Sequence, residues 1–194
     1  VNVVAIVLAA GEARRFGAPK QTAELHGRPL IQRAVRAMLD AGLPTRVVIG
    51  AHAAEVRGCL VGLPVSITEH AGWADGLGSS IAAGVVALDE PRPDAVLLCL
   101  ADQPGVDARS IRRLLDVFEA EPERIVASDT GVFVGPPCIF PRTLLGALEA
   151  LRGDQGARSV LRDHADAVIA VSMPEAADDV DTPADLERFQ AGDR

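Results

Sequence analysis

The segment LAAGEARRFGAPKQ, Leu8 to Gln21, follows an apolar run and gathers two glycines, a proline, two adjacent arginines and a lysine. Lys20 is the single lysine among the 19 Lys and Arg residues of the chain. Where arginine serves everywhere else, one retained lysine points to chemistry that wants a compact, mobile ammonium rather than a rigid guanidinium fork. Gly11 and Gly17 allow backbone conformations in which several amide N–H groups face one anion. Arg15 and Lys20 add charge-assisted contacts to phosphate oxygens. The segment contains neither GK[ST] nor GxGxxG, which sets aside a Walker-type loop and the dinucleotide fingerprint. Two carboxylates complete the set. Asp102 ends the apolar run LLCLAD, and Asp181 in DDVDTPADL precedes a Thr-Pro helix start. A bare carboxylate at the end of a buried strand needs a partner or a metal. Two of them facing a phosphate loop suit Mg²⁺, which takes oxygen ligands and keeps phosphate oxygens and waters in its shell. Each element also has a plainer reading: a solvated basic turn, a capping aspartate, and helix-entry chemistry at Asp-Thr-Pro.

The elements that must position these residues alternate along the chain. VVAIVLA reads as a buried parallel strand. RPLIQRAVRAMLDAG follows as a helix with Leu30, Ile31, Ala34, Val35, Met38 and Leu39 on one face, Pro29 in its first turn and Gly42 at its stop. TRVVIG is a second strand, His52 to Leu60 a short helix, and PVSITE a third strand. GSSIAAGVVALD reads as a helix capped by Ser79 or Ser80. DAVLLCLAD is a central strand, followed by the helix DARSIRRLLDVFEAE. Beyond Glu123 the short strands RIVAS, GVFVG and PCIFP come without helices between them and predict a hairpin or antiparallel insertion. Helices return at Arg142 to Leu151 and Ala157 to His164, then a strand AVIAVS and a last helix from Pro183. The pattern predicts one α/β domain over 1–194, a mostly parallel Rossmann-like sheet with helices on both faces and a small antiparallel extension. Ligands of such sheets bind at the carboxyl ends of the strands, where the Leu8–Gln21 loop and Asp102 fall.

Composition narrows the function classes. A chain of 194 residues with 48% hydrophobic residues holds one substantial core. A formal charge of −8 lacks the basic face of a nucleic-acid-binding surface, yet leaves room for a local basic loop that holds phosphates. Cys59, Cys99 and Cys138 form no CxxC, so neither a zinc site nor a disulfide framework follows, and a reducing cytoplasm is the simplest compartment. Val3 to Ala10 is too short to span a bilayer, and its arginines follow the apolar run instead of preceding it, unlike a signal peptide. No nucleic-acid or membrane partner is expected.

Taken together, LAAGEARRFGAPK, WADGLGSS, LADQP, GDQGARSVL and DVDTP resemble, in order and spacing, the motifs of the MobA/MocA-like nucleotidyltransferases. The resemblance covers nearly the whole chain and is closest to the molybdenum cofactor cytidylyltransferase, or MocA-like, branch. It implies a single nucleotidyltransferase domain, Mg²⁺ dependence, and transfer of a nucleotide from CTP (or GTP) to the terminal phosphate of molybdopterin. A molybdenum hydroxylase is the implied client. By position, Ala9, Ala10, Gly11, Arg15 and Lys20 face the nucleotide, with Arg15 and Lys20 catalytic. Gly76, Leu77, Ser79 and Ser80 lie beside base and ribose, and Asp102 and Asp181 hold the metal. Pro137, Gln155, Gly156 and Arg158 are the acceptor candidates. Residues 1–122 form the nucleotide half, and 123–194 the half that binds the acceptor and completes the metal site. The chain departs from the family pattern at Glu12, Phe16, His70 and Pro137; the last stands where the family carries a histidine and touches the acceptor segment.

The reaction so implied is in-line attack of a phosphate monoester on the α-phosphorus of a nucleoside triphosphate, with pyrophosphate leaving. A phosphate monoester has its second pKa near ~6 and needs no general base, which agrees with the lack of a Ser-His-Asp or Cys-His set. Guanylyl-transferring relatives carry LAGG where this chain has LAAG, so Ala10 favours cytidine. The alternatives are a guanylyltransferase on the same acceptor and a non-catalytic cofactor carrier. His26, His52 and His164 read as surface or turn residues, and His70 as an outside candidate near the base. Cys138 reads as an apolar filler, Trp73 as a lid or packing anchor, and Arg112 with Arg113 as a solvated helix face.

Overall fold

The computed structural model describes residues 1–192. Seven strands form the central sheet: β1 (Val3–Ala9), β4 (Thr45–Ile49), β5 (Val65–Glu69), β6 (Ala95–Leu100), β7 (Ile125–Asp129), β8 (Val134–Pro141) and β9 (Val168–Ser172), with β2 (Glu24–Leu25) and β3 (Arg28–Pro29) as a separate hairpin. The sheet order is β5-β4-β1-β6-β8-β7-β9. Every pairing is parallel except the two made by β8. The chain runs from β1 outward to β4 and β5, then returns to place β6 on the other side of β1. The carboxyl ends of β1 and β6 therefore flank a topological switch point, where an open sheet leaves a crevice.

Strand alternation sends neighbouring residues to opposite faces. Ala5, Val7 and Ala9 of β1 join one core with Ile31, Val35 and Met38 of α1 (Leu30–Asp40), Val56 of α2 (Ala53–Cys59) and Leu114 and Phe118 of α4 (Ala108–Ala120). Ile6 and Leu8 join the other with Ile81 and Val85 of α3 (Leu77–Val86), Leu148 of α5 (Leu145–Glu149) and Val160 of α6 (Ala157–Asp163). Both faces are covered, as the unbroken apolar runs of β1 and β6 require. A third, smaller cluster joins Leu25, Leu30 and Val180 with Phe16, Leu186 and Phe189, so that α7 (Pro183–Ala191) packs beside the β2–β3 hairpin and the first loop.

Several expectations are corrected. Of GVFVG only Val134 and Gly135 are in a strand, β8, which continues through PCIFP and sits inside the main sheet between β6 and β7. The ladder slips between Ala127 and Ser128: Ala127 faces Cys138, but Ser128 faces Gly135. Pro136 and Pro137, which have no N–H to give a ladder, occupy that bulge. The two-proline break marks a bulge, not a strand end. The helix expected over Arg142 to Leu151 is a 3₁₀ turn at Arg142–Leu144 followed by the short α5. Neither Ser79 nor Ser80 caps α3. Gly76 does, at φ +100°, where an added Cβ would lie 2.4 Å from the Gly153 carbonyl oxygen. Arg112 and Arg113 are not merely solvated: Arg113 pairs with Glu175 at 2.8 Å, and Arg112 reaches the Asp40 carbonyl.

Candidate active site

A cleft of about 600 Å³ opens at the switch point. Of the residues singled out from sequence, Ala9, Ala10, Gly11, Arg15, Lys20, Gly76, Leu77, Ser80, Asp102 and Asp181 line it, together with Trp73. The first loop is anchored to the rest of the sheet. Ala51 N–H donates to the Ala10 carbonyl at 3.0 Å, and His52 Nε2, facing the Glu12 carbonyl at 3.1 Å, must be the donor there. Glu12 is exposed and pairs with Arg14. Gln21, buried beneath the loop, donates its amide to the carbonyls of Gly11 (2.9 Å) and Ala9 (3.4 Å). Drawing those carbonyls down frees the opposite side of the loop for N–H groups.

Lys20 is the centre of the arrangement. Its ammonium lies 2.6 Å from Asp102 Oδ2 and 3.0 Å from Asp181 Oδ1, with the side chain only 13% exposed. Arg15 pairs with the other oxygen of Asp181 at 2.8 Å. Burial works against the Lys20 charge, but the two carboxylates outweigh it and raise its pKa above the ordinary value. Asp102 rides just past β6. Asp181 is placed by the α7 capping box, in which Thr182 accepts from Asp185 N–H while the Asp185 carboxylate accepts from the N–H groups of Thr182 and Asp181. A backbone bond from Val180 N–H to the Asp102 carbonyl, 2.9 Å, joins the two carriers.

The donor set fits a divalent cation. Two carboxylates already share one cation, the ammonium, and Asp102 Oδ1 is buried with no hydrogen-bond partner among the described residues. Hard oxygen ligands two at a time, with phosphate and water completing the shell, are how Mg²⁺ is usually held. Asp179 lies two residues before Asp181, but among the described residues no three ligand side chains come together as a metal cluster. Burial, then the charges of Asp102 and Asp181, push the Asp179 carboxyl up to about 7, against the pull of Lys20 and Arg158.

Other expected residues lie elsewhere. Ser79 Oγ turns back to the Gly76 carbonyl at 2.8 Å and meets His70 Nε2 at 2.9 Å, so both side chains are spent on holding the start of α3. Gly156 and Gln155 belong to the loop packed on that helix start: an added Cβ on Gly78 would meet the Gln155 carbonyl oxygen at 2.6 Å, and one on Gly156 would meet Leu77 at 3.0 Å. Pro137 is buried, its carbonyl accepting from Ser128 Oγ at 2.7 Å. Arg158 lies over the Phe133 ring, 4.0 Å from its centroid. None of these four acceptor candidates lines the cleft. Cys138 is fully buried and its thiol is pushed up by burial, as an apolar filler would be. Sequence reasoning missed Gln21, Gln103 and Asp179. Only Asp179 left a signal, since its spacing of two from Asp181, around buried Val180, sets both carboxyls on one side of an extended segment.

No helix among the described residues is long and apolar enough to cross a membrane. Over its full length the chain is similar to proteins of known sequence and structure. It is 31% identical to a nicotine blue oxidoreductase from Paenarthrobacter nicotinovorans, covering 96% of each chain. It is 27% identical to the purine catabolism protein PucB of Bacillus subtilis, covering 95% of this chain and 94% of that one. The structure of Rv0371c from Mycobacterium tuberculosis superposes with a TM-score of 0.84 at 27% identity over 98% of both chains. A complex of Rv0371c with manganese gives 0.81 at 25% identity, over 98% of this chain and 99% of that one. Residues 5–168 match the MobA-like NTP transferase domain, so the chain belongs to that family and is a nucleotidyltransferase.

Proposed function

We propose that this nucleotidyltransferase moves CMP from CTP to the terminal phosphate of molybdopterin, releasing pyrophosphate. The observation that carries the reading is the meeting of Lys20, Arg15, Asp102 and Asp181 in one cleft at the switch point of the sheet. The base preference rests on Ala10. Ala10 lines the cleft and is nearly buried, its methyl packed against Gly50, where an added Cβ would lie 2.9 Å from it. Guanylyl-transferring relatives carry a glycine at this position, so by the sequence resemblance the alanine favours cytosine. The acceptor rests on the sequence resemblance to the MocA-like branch.

The chain's own groups act by positioning and charge. Loop N–H groups and Arg15, whose guanidinium is largely exposed, grip the triphosphate. Lys20 stays charged throughout, because its pKa is raised, and its flexible stem lets the ammonium follow the phosphate whose charge grows during transfer. Asp102 and Asp181 act as ligands, not as acid and base. The divalent ion they would hold, Mg²⁺ by the family resemblance and with support from the manganese complex of Rv0371c, supplies charge neutralisation to the phosphates when bound. The acceptor phosphate, a dianion above pH ~6, attacks without a base. Residues 1–122 carry most of the nucleotide side. Residues 123–194 contribute Asp154 and Asp181 to the cleft and carry the acceptor candidates Pro137, Gln155, Gly156 and Arg158, which do not line it.

The test is turnover of radiolabelled CTP and GTP with molybdopterin as acceptor. Label transfer from CTP is expected. Preferential transfer from GTP would move the protein to the guanylyl branch, and binding without transfer from either would make it a carrier.

A further inference from the structure

We infer that Gln103 is a positioning residue, holding the two carboxylates of Asp102 and Asp181 at their working separation across Lys20. The inference rests on the reading of those aspartates as metal carriers. Gln103 follows Asp102 directly and is almost wholly buried. Its Nε2 donates to the carbonyl of Ala176 at 2.9 Å and to that of Pro136 at 3.2 Å. Both partners can only accept, so the amide orientation is settled: the NH₂ faces them and Oε1 faces away, with no partner among the described residues.

The two bonds join pieces of chain far apart in sequence. Pro136 lies in the β8 bulge, where the slipped ladder leaves its carbonyl free for a side chain. Ala176 closes the 3₁₀ turn Pro174–Ala176, five residues before Asp181. With the bond from Val180 N–H to the Asp102 carbonyl, the Asp102–Gln103 pair grips the Ala176–Val180 segment at both of its ends. There is no slack beside this grip, since a Cβ on Gly105 would sit 2.3 Å from the Glu175 carbonyl oxygen. The carboxylates of Asp102 and Asp181 therefore take their spacing from two anchors, the Val180–Asp102 backbone bond and the buried Gln103 amide, and only the second is a side chain.

An isosteric apolar side chain would fill the same space. It would remove the orphaned Oε1 but leave the carbonyls of Ala176 and Pro136 without their donor, so a modest loss of stability is expected. What it would not replace is the link between the two carriers. Groups that orient metal ligands typically cost ~10–100-fold in affinity when removed.

The experiment is Mn²⁺ titration of the full chain by electron paramagnetic resonance, with and without CTP, on wild type, Gln103→Met and Gln103→Asn. CTP affinity in EDTA and the melting temperature are measured on the same samples. The expected result is a ~10–100-fold loss of Mn²⁺ affinity in Gln103→Met, with CTP affinity unchanged and the melting temperature only modestly lowered. Gln103→Asn, which keeps the amide but reaches only one carbonyl, should fall between. Equal Mn²⁺ affinity in wild type and either folded variant overturns the inference and leaves the metal reading standing. So does a loss of Mn²⁺ affinity matched by an equal loss of CTP affinity, which is general loosening. A wild type that binds no Mn²⁺ in either condition overturns the metal reading, and this inference with it.

Discussion

Replacing Lys20 with methionine removes a cation and little volume, and leaves Asp102 and Asp181 facing each other. Removing one partner of a buried ion pair costs ~3–5 kcal/mol, because the remaining charge stays desolvated. Asp102 is 20% exposed and Asp181 33% exposed, so water screens part of the loss, and about 2–3 kcal/mol is expected. For a chain of this length that lowers the melting temperature by about 4–12 °C. The pH dependence has a definite sign. In wild type the Lys20 pKa is raised above 10.5, so its contribution is fully present below that value and lost only as pH climbs beyond it. Millimolar Mg²⁺ should restore more stability to the variant than it adds to wild type, since the divalent ion binds only the folded arrangement.

The assay is thermal unfolding at pH 7 with and without Mg²⁺, paired with single-turnover rates. Lys20→Ala should lower the rate by ~10²–10³ while nucleotide binding holds, as loss of one transition-state contact does. Lys20→Arg should recover only part, because the guanidinium fork is wider and less adaptable. A Lys20→Met protein as stable as wild type at pH 7, or a fully active Lys20→Arg, would refute the reasoning: the lone lysine would then be an accident of composition.

Two further outcomes follow from the same geometry. Asp102→Ala or Asp181→Ala should abolish Mg²⁺-dependent turnover while the fold persists by circular dichroism; near-normal activity at limiting Mg²⁺ would remove that residue from the ligand set. Asp185→Ala should cost ~1 kcal/mol, the usual worth of a helix cap, measured by urea denaturation. The Asp185 carboxyl is held at about 2 by the Thr182 hydroxyl, backbone N–H groups and Arg188, so the difference from wild type should fade as pH drops from about 4 toward 2; a difference undiminished at pH 2.5 would mean the cap works by packing, not charge.

What the sequence disclosed and what it hid divide along a physical line. Strands β1 and β6 were legible because a strand buried on both faces must be apolar at every position, and the residues just past such strands must lie at the sheet edge. Asp102 stood out for that reason, since a charge at the end of an apolar run is costly unless something answers it, and Lys20 stood out as the one lysine of the chain; each answers the other at 2.6 Å. The start of α3 was misread because its cap depends on Gly153, 77 residues beyond Gly76, and no local pattern announces so distant a contact. The β8 bulge was misread as a strand boundary for a similar reason, since two prolines break a ladder locally while the strand continues on either side of them. The buried glutamines lie at the far end of this scale. Glutamine is ordinarily a surface residue, and what makes Gln21 and Gln103 matter is a set of backbone carbonyls whose positions are decided by the whole topology. Charge reveals a site because its cost is local. The groups that hold the charges in place are neutral, and become visible only when the distant chain that they bind has been folded against them.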